Sequence, residues 1–113
     1  MNHGAAAEAL AERFLAARGL AIVGRNYRCR GGEIDIIARD GRTVVFVEVR
    51  LRRNHEFGGA AESITAAKRR RLRLAAEHYL ARLPSEPPCR FDAILLDALA
   101  SERIEWLRAI DLD

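Results

Sequence analysis

The chain predicts a small α/β domain with the element order αβββαβ(β). Two stretches with helical periodicity, three β-rich runs between them and an apolar run after a proline-rich stop carry that prediction. Ala5 to Arg18 places Ala7, Leu10, Ala11, Phe14 and Leu15 on one helix face, and Gly19 stops it. Leu20 to Arg28 reads as the first strand. Ile34, Ile36 and Ile37, then Val44 to Val47 and Val49, are β-formers on either side of Asp40-Gly41, a two-residue turn signal, so they form a hairpin. Leu51 to Gly59 is polar and glycine-ended, as a mobile loop would be. Ser63 can cap a long helix to about Leu83 that turns Ile64, Leu72, Ala75, Ala76, Tyr79, Leu80 and Leu83 inward. Pro84, Pro87 and Pro88 end it. Arg90 to Asp97 makes a buried fourth strand, and Arg103 to Leu107, with Ile104 and Trp106 alternating, a short fifth.

A length of 113 residues is one domain, 1–113, with a single core. No apolar run approaches the ~20 residues of a membrane span, and the alanine-rich amino terminus lacks a signal-peptide pattern. Cys29 and Cys89 have neither CxxC spacing nor nearby histidines, which points to reduced thiols in the cytoplasm. The formal charge is +3, and the basic residues are eighteen Arg and one Lys, Lys68. Arginine favours bidentate phosphate and carboxylate contacts, although a GC-rich genome produces the same bias.

The hairpin carries the chemistry. Glu33, Asp35 and Glu48 are acids on strands that are otherwise apolar, and buried acids are costly unless a cation, a proton or hydrogen bonds compensate them. With Asp40-Gly41 as the loop, Arg39 faces Arg42, Asp35 faces Phe46 and Glu33 faces Glu48. Alternation then puts Glu33, Asp35, Glu48 and Arg50 on one face. Asp35 and Glu48 become diagonal neighbours, about 7–8 Å apart between backbones, able to converge on one ion. A one-residue slip would separate them.

The ordered segments resemble the YraN family of small bacterial proteins, within the restriction-endonuclease-like (PD-(D/E)xK) superfamily and similar to archaeal Holliday junction resolvases. They are Gly4-x-x-x-Glu8-x-x-Ala11-x-x-Phe14-Leu15, Gly19-Leu20, Arg25-Asn26-Tyr27, Gly32-Glu33-Ile34-Asp35, Val45-Phe46-Val47-Glu48-Val49-Arg50, Lys68 and Arg90-Phe91-Asp92. The resemblance implies a restriction-endonuclease-like core, a mixed β-sheet flanked by two helices. It also implies that Asp35 and Glu48 hold a divalent metal, Mg²⁺ or Mn²⁺, with Glu8 as a further ligand and the Val49 carbonyl as a neutral oxygen. The implied activity is metal-dependent phosphodiester hydrolysis of DNA, including branched or junction DNA. A junction substrate would call for a two-fold homodimer.

Arg50 stands where the superfamily has Lys. An arginine stays protonated and cannot be a general base, yet it can clamp a phosphate. Lys68 lies on the line of the second helix's apolar stripe, four residues from both Ile64 and Leu72, so it is expected to reach the site and partly replace that lysine. Each assignment has a plain alternative. Asp35 and Glu48 can be carboxylates neutralised by arginines. Glu33 can turn toward an arginine or join the metal's outer shell, Glu8 can be a flanking charge, and Arg90 with Asp92 can be a structural ion pair. Arg69, Arg70 and Arg73, with Arg52 and Arg53 beyond the hairpin, form a basic strip that is either a solvated helix face or a phosphate-tracking surface. Two other functions share this fold: a nucleic-acid-binding module without catalysis, and a protein-interaction subunit with a vestigial site.

Overall fold

The computed structural model describes residues 3–51, 64–97 and 104–112. The elements are α1 (His3–Ala17), β1 (Ala21–Cys29), β2 (Gly32–Asp40), β3 (Thr43–Leu51), α2 (Ala66–Ala81), β4 (Cys89–Leu96) and β5 (Ile104–Leu107). The five strands form one sheet in the order β1-β2-β3-β4-β5. Only β3 and β4 run parallel, and the sheet is therefore mixed. A parallel pair needs a crossover, which α2 supplies between β3 and β4. The expected order holds. Leu51 belongs to β3, while most of the expected loop, together with Ser63 and Arg103, lies outside the described residues. Helix α2 is capped by Thr65, whose side chain accepts the Lys68 N–H, so its start is later than a Ser63 cap would give.

Each helix covers one sheet face. Ala7, Ala11 and Leu15 of α1 pack with Ile36, Ala38, Val45, Val47, Ile94 and Leu96. Leu72, Ala75 and Ala76 of α2 pack with Ile34, Ile37, Val44 and Phe46. Phe46 is fully buried, with ring centroids 5.9 Å from Tyr79 and 5.4 Å from Phe91. Burial of one such ring contributes about 1.5–3 kcal/mol. No helix among the described residues is long and apolar enough to cross a membrane. Both cysteines are free thiols.

The hairpin loop is Gly41-Arg42, not Asp40-Gly41, with Asp40 paired to Thr43. Gly41 takes φ +62° at the first loop position, where a type II′ turn asks for glycine. The register thus differs by two residues from the sequence expectation: Ile37 faces Phe46, and Glu33 is not opposite Glu48. A shift of two keeps the parity. One step beyond the last pair, Ile36 with Val47, Asp35 comes directly across from Glu48.

Asp92 is fully buried on β4 and accepts hydrogen bonds from Arg90 Nε, Trp106 Nε1 and the Ala109 N–H. Arg90 also reaches Asp40 at 3.1 Å. This cluster pins β5 and the chain after it to the sheet, so the ion-pair alternative for Arg90 and Asp92 is the one the geometry favours. Gly32 has a different reason. A Cβ there would lie 2.6 Å from the Arg71 carbonyl oxygen and 2.7 Å from the Ala75 nitrogen, because the α2 backbone rests directly on β2. Gly32→Ala is expected to cost about 1–3 kcal/mol through overpacking. Its midpoint in urea should drop accordingly, and an unchanged midpoint would show that α2 is free to lift away.

Candidate functional site

Helix α1, strands β2 and β3 and helix α2 meet at an open cavity of about 190 Å³. Gly4, Ala7 and Glu8 line it from α1, Glu33 and Asp35 from β2, Glu48, Val49 and Leu51 from β3, and Lys68 and Arg71 from α2. The β2–β3 ladder stops just short of it. Where the next backbone bond would form, the Val49 N–H instead donates to Asp35 Oδ2 at 2.8 Å. The local fold thus spends a main-chain donor on holding one carboxylate in place.

Asp35 and Glu48 are close enough to hydrogen-bond each other, and only 8 % of the Glu48 side chain is exposed. Burial raises the Glu48 pKa to about 7, the Asp35 charge adds to the rise, and Lys68 partly opposes it. Asp35 is also pushed up, first by burial, against the pull of the Val49 N–H and the shared bond with Glu48. Two like charges in a half-dry site raise each other's proton affinity, so the pair titrates as a unit. Glu8 is raised by burial and by the Asp35 charge, which puts a third acid in the same field.

The cations divide unevenly. Lys68 Nζ donates to Glu48 Oε2 at 3.3 Å, so Lys68 does reach the site from α2, as the helical phase predicted. Arg71 pairs with Glu33, which turns Glu33 toward an arginine rather than toward the pair. Arg50 is half-buried and does not line the cavity; its Nε is buried with no hydrogen-bond partner among the described residues. Its backbone lies against Leu95 of β4, beyond the end of the β2–β3 ladder. The basic strip is likewise narrower than expected. Arg70 is exposed, but Arg69 and Arg73 are half-buried, and Arg73 donates to the Leu112 carbonyl, which packs the carboxy-terminal segment along α2. Arg52, Arg53 and His55 lie outside the described residues.

Sequence reasoning missed Arg71 and Asn26. Arg71 belongs to a run of basic residues in which only the packing of α2 on β2 selects one member. Asn26 sits mid-strand with φ +49°, and its side chain lies near enough to Glu8 to pull that carboxyl's pKa down against burial. Nothing in the strand pattern marks it, although Asn tolerates that conformation better than most residues.

Among the described residues no three or more His, Cys, Asp and Glu side chains converge into a complete metal cage. The donors present are instead an open set. Asp35 and Glu48 offer adjacent hard oxygens and Glu8 stands on the cavity wall, while Lys68 bonds Glu48, Arg28 acts on Glu8 and Arg71 is taken by Glu33.

The fold and this site define a class: a mixed-sheet α/β protein with a buried carboxylate pair at the end of its central hairpin. The model of the uncharacterised protein family UPF0102 matches residues 7–96, and the chain belongs to that family, also called YraN. It is 59% identical over 102 residues to a UPF0102 protein of Methylobacillus flagellatus, covering 90% of this chain and 89% of that one. A UPF0102 protein of Nitrosospira multiformis is 58% identical over 90% of this chain and 86% of its own length. One from Cupriavidus taiwanensis is 58% identical over 97% and 83%.

The Glu48 carboxyl has a pH consequence. Its folded pKa lies above the ordinary carboxylate value of 4.5, so the folded state holds the proton more tightly. Stability from this group is full below about pH 4.5 and is lost as pH rises to about 7, by on the order of 2–3 kcal/mol. With chelator present, wild type should lose stability across that window relative to Glu48→Gln. Parallel curves for the two proteins in urea titrations at each pH would exclude the coupling.

Proposed function

We propose that this protein is a metal-dependent nuclease-like enzyme that hydrolyses phosphodiester bonds in DNA. The observation that carries the reading is the buried Asp35–Glu48 pair with Lys68 on it, at the floor of an open cavity. Support also comes from the element order and the Asp, Glu-x-Arg spacing, which resemble restriction-endonuclease-like nucleases. Asp35 and Glu48 fit a hard divalent cation, Mg²⁺ or Mn²⁺; Glu8, through water, and the main-chain oxygen of Val49 would add to the protein's share of ligands. Such a cation, when bound, lowers the pKa of water and offsets charge on phosphoryl oxygens.

The chain's own groups do the rest. The Val49 N–H fixes the Asp35 carboxylate, so the ligand is oriented before substrate arrives. Lys68 approaches from a helix rather than from the strand position that Arg50 occupies. There it orients the attacking water and stabilises negative charge developing on the phosphoryl oxygens. Arg50 is not part of this cavity, so the Lys-to-Arg change on the strand leaves the cation function with Lys68. Arg70, with Arg52 and Arg53, would track the substrate backbone. A branched or four-way-junction substrate is the finer reading, and it calls for a two-fold dimer presenting two such cavities.

Purified protein with Mn²⁺ should cut one or more of single-stranded, duplex, flap and four-way-junction DNA. Asp35→Ala should abolish cleavage, and Lys68→Ala should slow it by about 10²–10³-fold, in the range of one lost transition-state donor. Arg50→Ala should slow it far less. Full activity in Lys68→Ala removes the role given to Lys68. DNA binding without cleavage, unchanged by metal and by Asp35→Ala, would instead identify a non-catalytic nucleic-acid-binding module.

A further inference from the structure

Strand β1 is an edge strand, and in the middle of it Asn26 adopts φ +49°. Arg25 pairs with Ile36 and Tyr27 with Ile34, so Asn26 falls across from Asp35, and that pair is missing from the ladder. The neighbouring strand changes at the same level. Ile34 packs with the α2 cluster, whereas Ile36 packs with the α1 cluster, although residues two apart in a regular strand share a face. The turn of β2 about Asp35 therefore coincides with the left-handed residue on β1. It is also where the β2–β3 ladder ends and the Val49 N–H passes to Asp35.

An edge strand can carry such an irregularity merely to discourage pairing with another chain. β1 already has one, a register shift between Ile22 and Gly24. The Asn26 side chain adds something edge protection does not need: it lies near Glu8 of α1 and favours that residue's charged form. Glu8 stands on the cavity wall within the field of Asp35. One residue thus stands beside both the backbone that turns Asp35 and the acid on the opposite wall.

We propose that Asn26 is a positioning residue for this site: its left-handed backbone opens the β1–β2 ladder opposite Asp35, and its carboxamide holds Glu8 toward the Asp35–Glu48 pair. The proposal rests on the reading of that pair as a divalent-cation site. Asn suits both tasks, because it enters the left-handed region readily and its NH₂ donates to a carboxylate.

Glycine separates the two tasks. Asn26→Gly keeps the backbone conformation without steric cost and removes only the carboxamide. Free Mn²⁺, followed by electron paramagnetic resonance, should give a Kd for Asn26→Gly about tenfold weaker than for wild type, as for loss of an outer partner of a ligand. The melting temperature should stay near the wild-type value. Combining Asn26→Gly with Glu8→Gln should weaken Mn²⁺ no further than Glu8→Gln alone, because Asn26 acts through Glu8. Wild-type affinity in Asn26→Gly overturns the proposal and leaves the site reading intact. So do additive effects in the double variant, or a loss of affinity that comes only with a collapse in melting temperature. Wild-type protein that binds no Mn²⁺ at all overturns the cation reading and the proposal together.

Discussion

The Asp35–Glu48 pair is the constraint around which the rest of the molecule is arranged. Two carboxylates sit at the end of a central hairpin, largely out of water, and burial and their mutual repulsion push both toward the protonated form. A purely structural sheet would place valine or isoleucine there. The energetic penalty is reduced by the Val49 N–H on Asp35, by Lys68 on Glu48 and by an open cavity that lets water in. What remains of the penalty is relieved whenever a cation occupies the pair in place of a proton.

Both helices serve that constraint. Helix α2 lies so close to β2 that only glycine fits at position 32, and this approach brings Arg71 to Glu33 and Lys68 to Glu48. With Arg71 paired to Glu33, Lys68 is the cation that bonds Glu48 among the described residues. Helix α1 enters from the other face and contributes Glu8 from its first turns. The Arg90–Asp92–Trp106 cluster, by contrast, joins β4 to β5 and holds the sheet's other edge together.

Much of this was legible in the residues. The period of Ala7, Ala11 and Leu15, the run of β-formers around Gly41 and the prolines after α2 each report local conformational preference. Local preference is what a linear pattern carries. Parity on the hairpin was legible too, since any two-residue loop keeps Asp35 and Glu48 on one face. The register was not. Asp40-Gly41 and Gly41-Arg42 both make acceptable loops, and the packing of Ile37 against Phe46 and of the sheet against α2 selects between them.

The sequence by itself determined the class of domain, its family and the presence of acids on strands that ought to be apolar, because periodicity and motif order are properties of the chain. Only the tertiary structure decided which basic residue serves those acids. Arg50 is two residues from Glu48 in sequence, yet it lies outside the cavity, while Lys68 is twenty residues away and bonded to it. Asn26 belongs to the same category, since its backbone turn matters only because Asp35 lies across from it and Glu8 packs above. Such pairings depend on how a helix crosses a sheet and where a ladder stops, and no spacing along the chain encodes either.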